Sequence, residues 1–185
     1  MLSKDSKEAL SDMAVAQGAY KASVIPAELI PFDPSLRQAC AANTCGNYGK
    51  NWTCPPDVGP IDELIVKARQ YKHALVFQTV SVLEDSYDFE GMMAALRRHR
   101  EVTDRITDAV REAIGESDIL QLSAGGCVIC ETCAKRQDLP CVHPDRALAS
   151  LEAYGIYVSK LAELAGMNYI NGKNTVTYFG AYLFS

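Results

Sequence analysis

Four closely spaced cysteines constrain the fold of this chain more than any other sequence feature. Three of them are separated by two residues each, and the fourth follows after a gap of seven: Cys127, Cys130, Cys133 and Cys141. Sulfurs at C-x2-C-x2-C spacing can reach three corners of one iron–sulfur cube, as they do in bacterial ferredoxins. Gly125 and Gly126 precede this run and permit a close approach of the backbone. The segment therefore predicts a metal centre and favours an iron–sulfur cluster.

Zinc is the alternative metal for the same thiols. Structural zinc sites usually combine two C-x2-C pairs that lie well apart in sequence. Here Cys130 has a two-residue gap on both sides, which strains a single tetrahedron. Thiols without a metal are the remaining interpretation. We expect iron–sulfur clusters, and we keep zinc as the less favoured alternative.

A second group of cysteines lies in a long polar segment at residues 32–60. It consists of Cys40, Cys45 and Cys54. Segments of this length without periodicity are usually functional or unstructured, so three thiols here indicate a ligand that orders the segment. Tyr48 and Trp52 are expected to form an apolar screen around the centre. Taken alone the spacing is a weaker signal, and buried free thiols are the alternative.

The sequence predicts that all seven thiols are metal and cofactor ligands: Cys40, Cys45, Cys54, Cys127, Cys130, Cys133 and Cys141. We expect two 4Fe-4S clusters, one held by the four later cysteines and one held by the three earlier ones, with one iron not bound by cysteine. An interleaved arrangement, in which Cys54 or Cys141 serves the other cluster, is the competing hypothesis. His143 is either an eighth ligand or a residue that caps the turn before Pro144.

Composition excludes several other classes of function. The 185 residues carry a net charge of -5 with no run of five like charges, so a nucleic-acid-binding surface is not expected. The basic cluster at residues 97–100 is interpreted as a solvated helix face. No segment has 18 consecutive apolar residues, and the first residues lack a signal-peptide pattern. We therefore expect a cytoplasmic protein without a membrane segment, in a reducing compartment.

The periodicity predicts one α+β domain over residues 1–185. A mostly antiparallel sheet includes strands at 73–83, 118–123 and 175–184, with an edge strand at most at 24–30. Helices are expected at 4–17, after Pro60, at 89–114, at 145–153 and at 157–165. The long helix allows strands 73–83 and 118–123 to run parallel, as in a split βαβ unit. The cysteine loops, at about 36–58 and 125–144, are expected to meet at one metal-binding side.

Together the two cysteine motifs resemble a known family. The first motif is Cys40-x4-Cys45-x2-Tyr48-Gly49-Lys50-x-Trp52-x-Cys54-Pro55-Pro56, and the second is Cys127-x2-Cys130-x2-Cys133-x7-Cys141-x-His143-Pro144. With residues 151–155 and 174–180, they are similar to an uncharacterised prokaryotic family of predicted metal-binding proteins. The resemblance implies metal binding by all seven thiols in a prokaryotic cytoplasm. It implies no substrate.

Three classes of function follow from such centres. The first is electron transfer or cluster-dependent redox chemistry, which implies a redox partner protein. The second is an enzyme whose three-cysteine 4Fe-4S cluster keeps an open iron that binds a small molecule or sulfide. The third is a zinc-stabilised structural or interaction protein. No catalytic residue is predicted, although Lys50, Tyr48 and His143 are acid–base groups near the cysteines.

Overall fold

The computed structural model describes residues 2–115 and 118–185, which form an α+β fold as the sequence predicts. The helices are α1 (Lys4–Ala16), α2 (Leu36–Ala41), α3 (Ile61–Ala68), α4 (Phe89–Ile114) and α5 (Val158–Leu164). The strands are β1 (Lys21–Pro26), β2 (His73–Val82), β3 (Leu120–Leu122) and β4 (Thr175–Phe184). Short 3-10 helices occur at Ala27–Leu29, Ala134–Gln137 and Glu152–Tyr154. No helix in these described ranges is long and apolar enough to cross a membrane.

The four strands form one open sheet in the order β1-β2-β4-β3, and every neighbouring pair is antiparallel. β2 and β3 both run antiparallel to β4, so they point in the same direction and are joined through α4. This is the split βαβ arrangement that the length of the crossover helix predicts. β4 lies at the centre of the sheet, as its apolar composition on both faces predicts.

Helices cover both faces of the sheet. Leu75 and Phe77 of β2 face a core shared with α1 and α4, whereas Val76 faces the core shared with α3 and α5. Gly180 of β4 lies opposite Phe77, and a Cβ atom there would stand 2.5 Å from two atoms of the Phe77 ring. A larger residue at Gly180 would therefore collide with the centre of the core.

The helix predicted at 145–153 is wrong, because this segment pairs with the end of β3 instead. The Ser123 amide donates to the Ala149 carbonyl at 3.0 Å, and the Leu151 amide donates to the Ser123 carbonyl at 3.1 Å. Backbone groups committed to a strand edge cannot continue an α-helical ladder. After a turn at 144–146, the segment forms a parallel bridge between Ser150 and Ser123, the residue that follows β3, and it turns again at the 3-10 helix Glu152–Tyr154.

The basic cluster at 97–100 is only partly the solvated helix face that the sequence suggests. Arg97 and Arg98 are exposed, but His99 is 0% exposed. The His99 imidazole stacks on Phe77, and its Nδ1 lies 2.8 Å from the Thr79 hydroxyl. His99 is therefore a core residue that attaches α4 to the sheet.

Candidate metal centre

The two cysteine loops are in direct contact through the buried side chain of Asn51. Its Nδ2 donates to the Cys127 carbonyl at 3.0 Å, and its Oδ1 accepts from the Thr53 amide at 3.2 Å and from the Thr53 hydroxyl at 3.1 Å. Asn51 and Thr53 are 4% and 7% exposed. Buried polar groups that are satisfied in this way fix the geometry of the surrounding backbone.

Thr53 extends the same contact to the amide of Cys127. The Cys127 amide donates to the Thr53 hydroxyl oxygen at 3.3 Å, so both backbone polar groups of Cys127 bond to the first loop. The Cys133 sulfur lies 4.0 Å from Asn51 Oδ1, at the limit of a weak S–H···O hydrogen bond. Asn51 and Thr53 therefore set the position of two cysteines of the second loop.

Trp52 and Lys135 form a second connection between the loops. The indole Nε1 of Trp52 donates to the Leu139 carbonyl at 2.9 Å. The Lys135 ammonium lies 4.7 Å from the centre of the Trp52 ring and forms an ion pair at 3.0 Å with Asp57. Hydrogen bonds to Asp138 and then Asp57 raise the pKa of Lys135, so the ammonium stays charged. The two loops form one unit beside the sheet.

All four cysteines of the second loop line a single small pocket. The side chains around it are Cys127, Cys130, Cys133 and Cys141, with Asn51, Trp52, Ile129, Val142 and His143. Gly126 lies against the first loop. A Cβ atom added at Gly126 would be 3.1 Å from the side-chain nitrogen Nδ2 of Asn47. The glycine predicted for close backbone approach therefore makes that approach to the other cysteine loop.

The three earlier cysteines surround the end of α2. Cys40 lies in its last turn, Cys45 is exposed and Cys54 is half-buried. Burial raises the pKa of the Cys40 thiol, with a smaller contribution from Cys45. Burial, with smaller contributions from Cys45, Cys40 and Cys127, raises the pKa of Cys54 to about 11, while a hydrogen bond with Thr53 opposes the shift. Cys54 therefore lies close enough to both groups of cysteines for their charges to affect its pKa.

Burial likewise raises the pKa of Cys127, where Cys141 and Cys130 add smaller effects. Near neutral pH these buried thiols stay protonated unless a positive charge stabilises the thiolate. A cation bound at the pocket would supply that charge and would release protons on binding. Without such a charge these thiols are poor nucleophiles, because the thiolate is the reactive form.

Within residues 2–115 and 118–185, no three His, Cys, Asp or Glu side chains converge on a single ion. Tetrahedral zinc has Zn–S distances of about 2.3 Å, which puts its sulfurs about 4 Å apart. Binding of a single metal ion would therefore require the cysteine side chains to move closer together.

Several residues singled out in the sequence take the expected place, and others do not. Trp52 and His143 line the cysteine pocket, and the His143 carbonyl also accepts from the Arg146 and Ala147 amides. Lys50 is exposed, and Tyr48 is not among the residues that line this pocket. Asn51, Thr53 and Lys135 were not predicted. The sequence gives one indication of their role, which is that they are polar residues within the cysteine motifs.

The structure defines the class of protein as an α+β fold with two contacting loops and a cysteine-lined pocket. A family model of predicted metal-binding proteins, DUF2284, matches residues 23–184, and the chain belongs to this family. The matched range contains all seven cysteines. This confirms the family resemblance that the two motifs suggest. Comparison with curated proteins and with solved structures gives no significant match.

Proposed function

We propose that this protein binds iron–sulfur clusters and acts in electron transfer or cluster-dependent redox chemistry. The observation that carries the proposal is the pocket lined by Cys127, Cys130, Cys133 and Cys141. Three of the thiols precede the Ala134–Gln137 helix, and the fourth follows it. Together they form the ligand set of a 4Fe-4S cluster. When bound, such a cluster supplies one-electron transfer at a potential tuned by hydrogen bonds and burial.

The residues around the pocket have separate tasks in this proposal. Asn51 and Thr53 hold the backbone of Cys127 before any ligand binds, which reduces the entropy cost of assembling the ligand set. Trp52, Ile129 and Val142 place apolar surface around the thiols and limit access of water. The electron donor or acceptor is then a redox partner protein or a small molecule.

The three earlier cysteines support a second cluster with an open position. Cys45 contributes to the raised pKa of both Cys40 and Cys54, so the three thiols lie near one another, and seven thiolates are one fewer than two cubes require. Because Cys45 is exposed, a ligand in solution can reach this group. This observation favours the second candidate function, an enzyme whose three-cysteine cluster binds a small molecule or sulfide at its open iron.

Metal analysis of anaerobically purified protein tests the proposal. We expect a brown protein with broad visible absorption, containing iron and acid-labile sulfide in similar amounts, about eight of each per chain. A matched preparation of Cys130→Ser should contain about half as much iron. Stoichiometric zinc without sulfide would refute the cluster and would assign the cysteines to a zinc-stabilised structural or interaction protein.

A further inference from the structure

A cleft beside the cysteine pocket opens between the first cysteine loop, α3, the end of α4 and β3. Its volume is about 570 Å³, within the range of roughly 300–1,000 Å³ that is usual for small-molecule sites. The residues that matter for its chemistry are Trp52, Lys67, Arg111, Gln121, Cys141 and Tyr154. Leu120, Leu122 and Leu148 give it an apolar wall.

The cleft carries unpaired positive charge. Lys67 and Arg111 enter it from different helices, and neither has an ion pair with any residue in the described ranges. The Asp57 carboxylate in the same cleft forms an ion pair at 3.0 Å with Lys135, whose ammonium also pairs with the exposed Asp138. Asp145 is the remaining carboxylate there, so the cations outnumber the unpaired anions.

One wall of the cleft belongs to the cysteine site. Cys141 and Trp52 line both the cleft and the cysteine pocket, so a molecule in the cleft lies next to a proposed cluster ligand. Gln121 adds an amide whose nitrogen already donates to the Thr107 hydroxyl at 2.7 Å, so its carbonyl oxygen can only accept from a hydroxyl or N–H group of a ligand. The two cations suit the anionic group of a small organic anion, and the apolar wall suits its body.

We propose that this cleft binds a small organic anion, with its carboxylate or phosphate between Lys67 and Arg111 and its apolar body against the leucines. The existence of this anion site depends only on the residues of the cleft and not on a bound cluster. Its role as the substrate site of the redox chemistry rests on the proposed function, because only a cluster at Cys141 gives the ligand an electron partner.

Calorimetric titration of the anaerobically purified protein tests the site with three probes: succinate, inorganic phosphate and the neutral succinamide. We expect millimolar or tighter binding of at least one anion and none of succinamide. Arg111→Gln and Lys67→Gln should each weaken that binding about tenfold, because each removes a charge-assisted hydrogen bond. Arg98→Gln, an exposed arginine of the same helix that lines no part of the cleft, is the matched control and should bind normally.

Fluorescence and iron content keep this test independent of the cluster. Trp52 is the sole tryptophan, so its emission should shift on anion binding. Iron content should be equal in wild type, Arg111→Gln and Lys67→Gln.

An affinity for succinate identifies a carboxylate ligand, and an affinity for phosphate alone identifies a phosphate ester. If neither anion binds, or if both variants bind like Arg98→Gln, the anion site is refuted whatever metal is present. If iron is absent and the anion still binds through Arg111, the site survives and the redox proposal falls.

Discussion

The amide nitrogen of Asn51 donates to the backbone carbonyl of Cys127 at 3.0 Å across 76 residues of chain. This hydrogen bond joins one cysteine motif to the other. Since the carbonyl belongs to the first residue of the C-x2-C-x2-C run, its direction fixes where the following turns begin. The two motifs are therefore in direct contact, although they lie far apart in sequence.

Loss of the Asn51 side chain should loosen both loops. Asn51→Ala leaves the Cys127 carbonyl and the Thr53 amide without their partner, which should reduce the free energy of unfolding by about 1–3 kcal/mol. Metal content should fall as well. Denaturant unfolding and iron analysis measure the two effects. Asn168→Ala, at an exposed position, is the control, and equal behaviour of the two variants would contradict the linking role of Asn51.

Single cysteine variants should divide the metal between two groups. Cys130→Ser should remove the iron bound by the second loop, and Cys45→Ser should remove the iron bound by the first, so each keeps about half. Cys130→Ser should lower the thermal midpoint more, because its loop continues from β3 while Cys45 is exposed. Complete loss of iron in both variants would indicate one shared centre or interleaved ligands.

His99 should make the protein less stable in mild acid. Burial, helped by the charge of Arg100, lowers the pKa of His99 to about 4, while a backbone hydrogen bond with Phe179 opposes the shift. The unfolded chain has a histidine pKa of about 6.5, so protonation below that value favours unfolding. The stabilising effect of neutral His99 is complete above pH 6.5 and is lost as the pH falls towards 4.

Denaturant unfolding at pH 7 and pH 5 checks this dependence. Between pH 7 and pH 5 the free energy of unfolding should fall by about 2 kcal/mol more in wild type than in His99→Gln. This holds whatever the difference in stability between the two proteins at pH 7. Arg98→Gln, at an exposed position of the same helix, is the control and should follow wild type. An identical pH dependence in wild type and His99→Gln would mean that His99 is not the group that titrates.

Gly180→Ala should destabilise the centre of the sheet. The new methyl group would meet the Phe77 ring at 2.5 Å, and both strands are fixed by their neighbours. Such overpacking typically costs about 1–3 kcal/mol. Thermal unfolding measures the loss, and Phe77→Leu in the same chain should recover part of it by removing the ring. Equal thermal stability of Gly180→Ala and wild type would show that the Phe77 ring can move aside.

Sequence periodicity was sufficient for the long elements. α4 and β4 have the predicted bounds of 89–114 and 175–184, because each has a continuous apolar pattern and clear end signals. At its first turn α4 has Asp88, whose side chain accepts from the Gly91 amide, and it ends before Gly115, where φ is 79°. Local sequence contains all of this information.

The contacts that build the site are not local, and sequence periodicity could not predict them. Asn51 and Thr53 act through Cys127, and Lys135 acts through Asp57, each across a large part of the chain. The segment after Pro144 was predicted to be helical because its composition allows a helix, but the edge of β3 offered its backbone better partners. Tertiary hydrogen bonds decided both outcomes.

The insertion of β4 between β2 and β3 sets an order of events during synthesis. In the described parts of the chain β3 pairs with no strand except β4, which emerges later from the ribosome. At roughly 5–20 residues per second, translation leaves β3 unpaired for seconds. During this interval the cysteine loop that follows β3 can contact the first cysteine loop, which is made earlier, but the sheet does not yet hold the strand that leads into it. We therefore expect assembly of a metal centre to require completion of the sheet, so that a nascent chain stalled before β4 retains no metal.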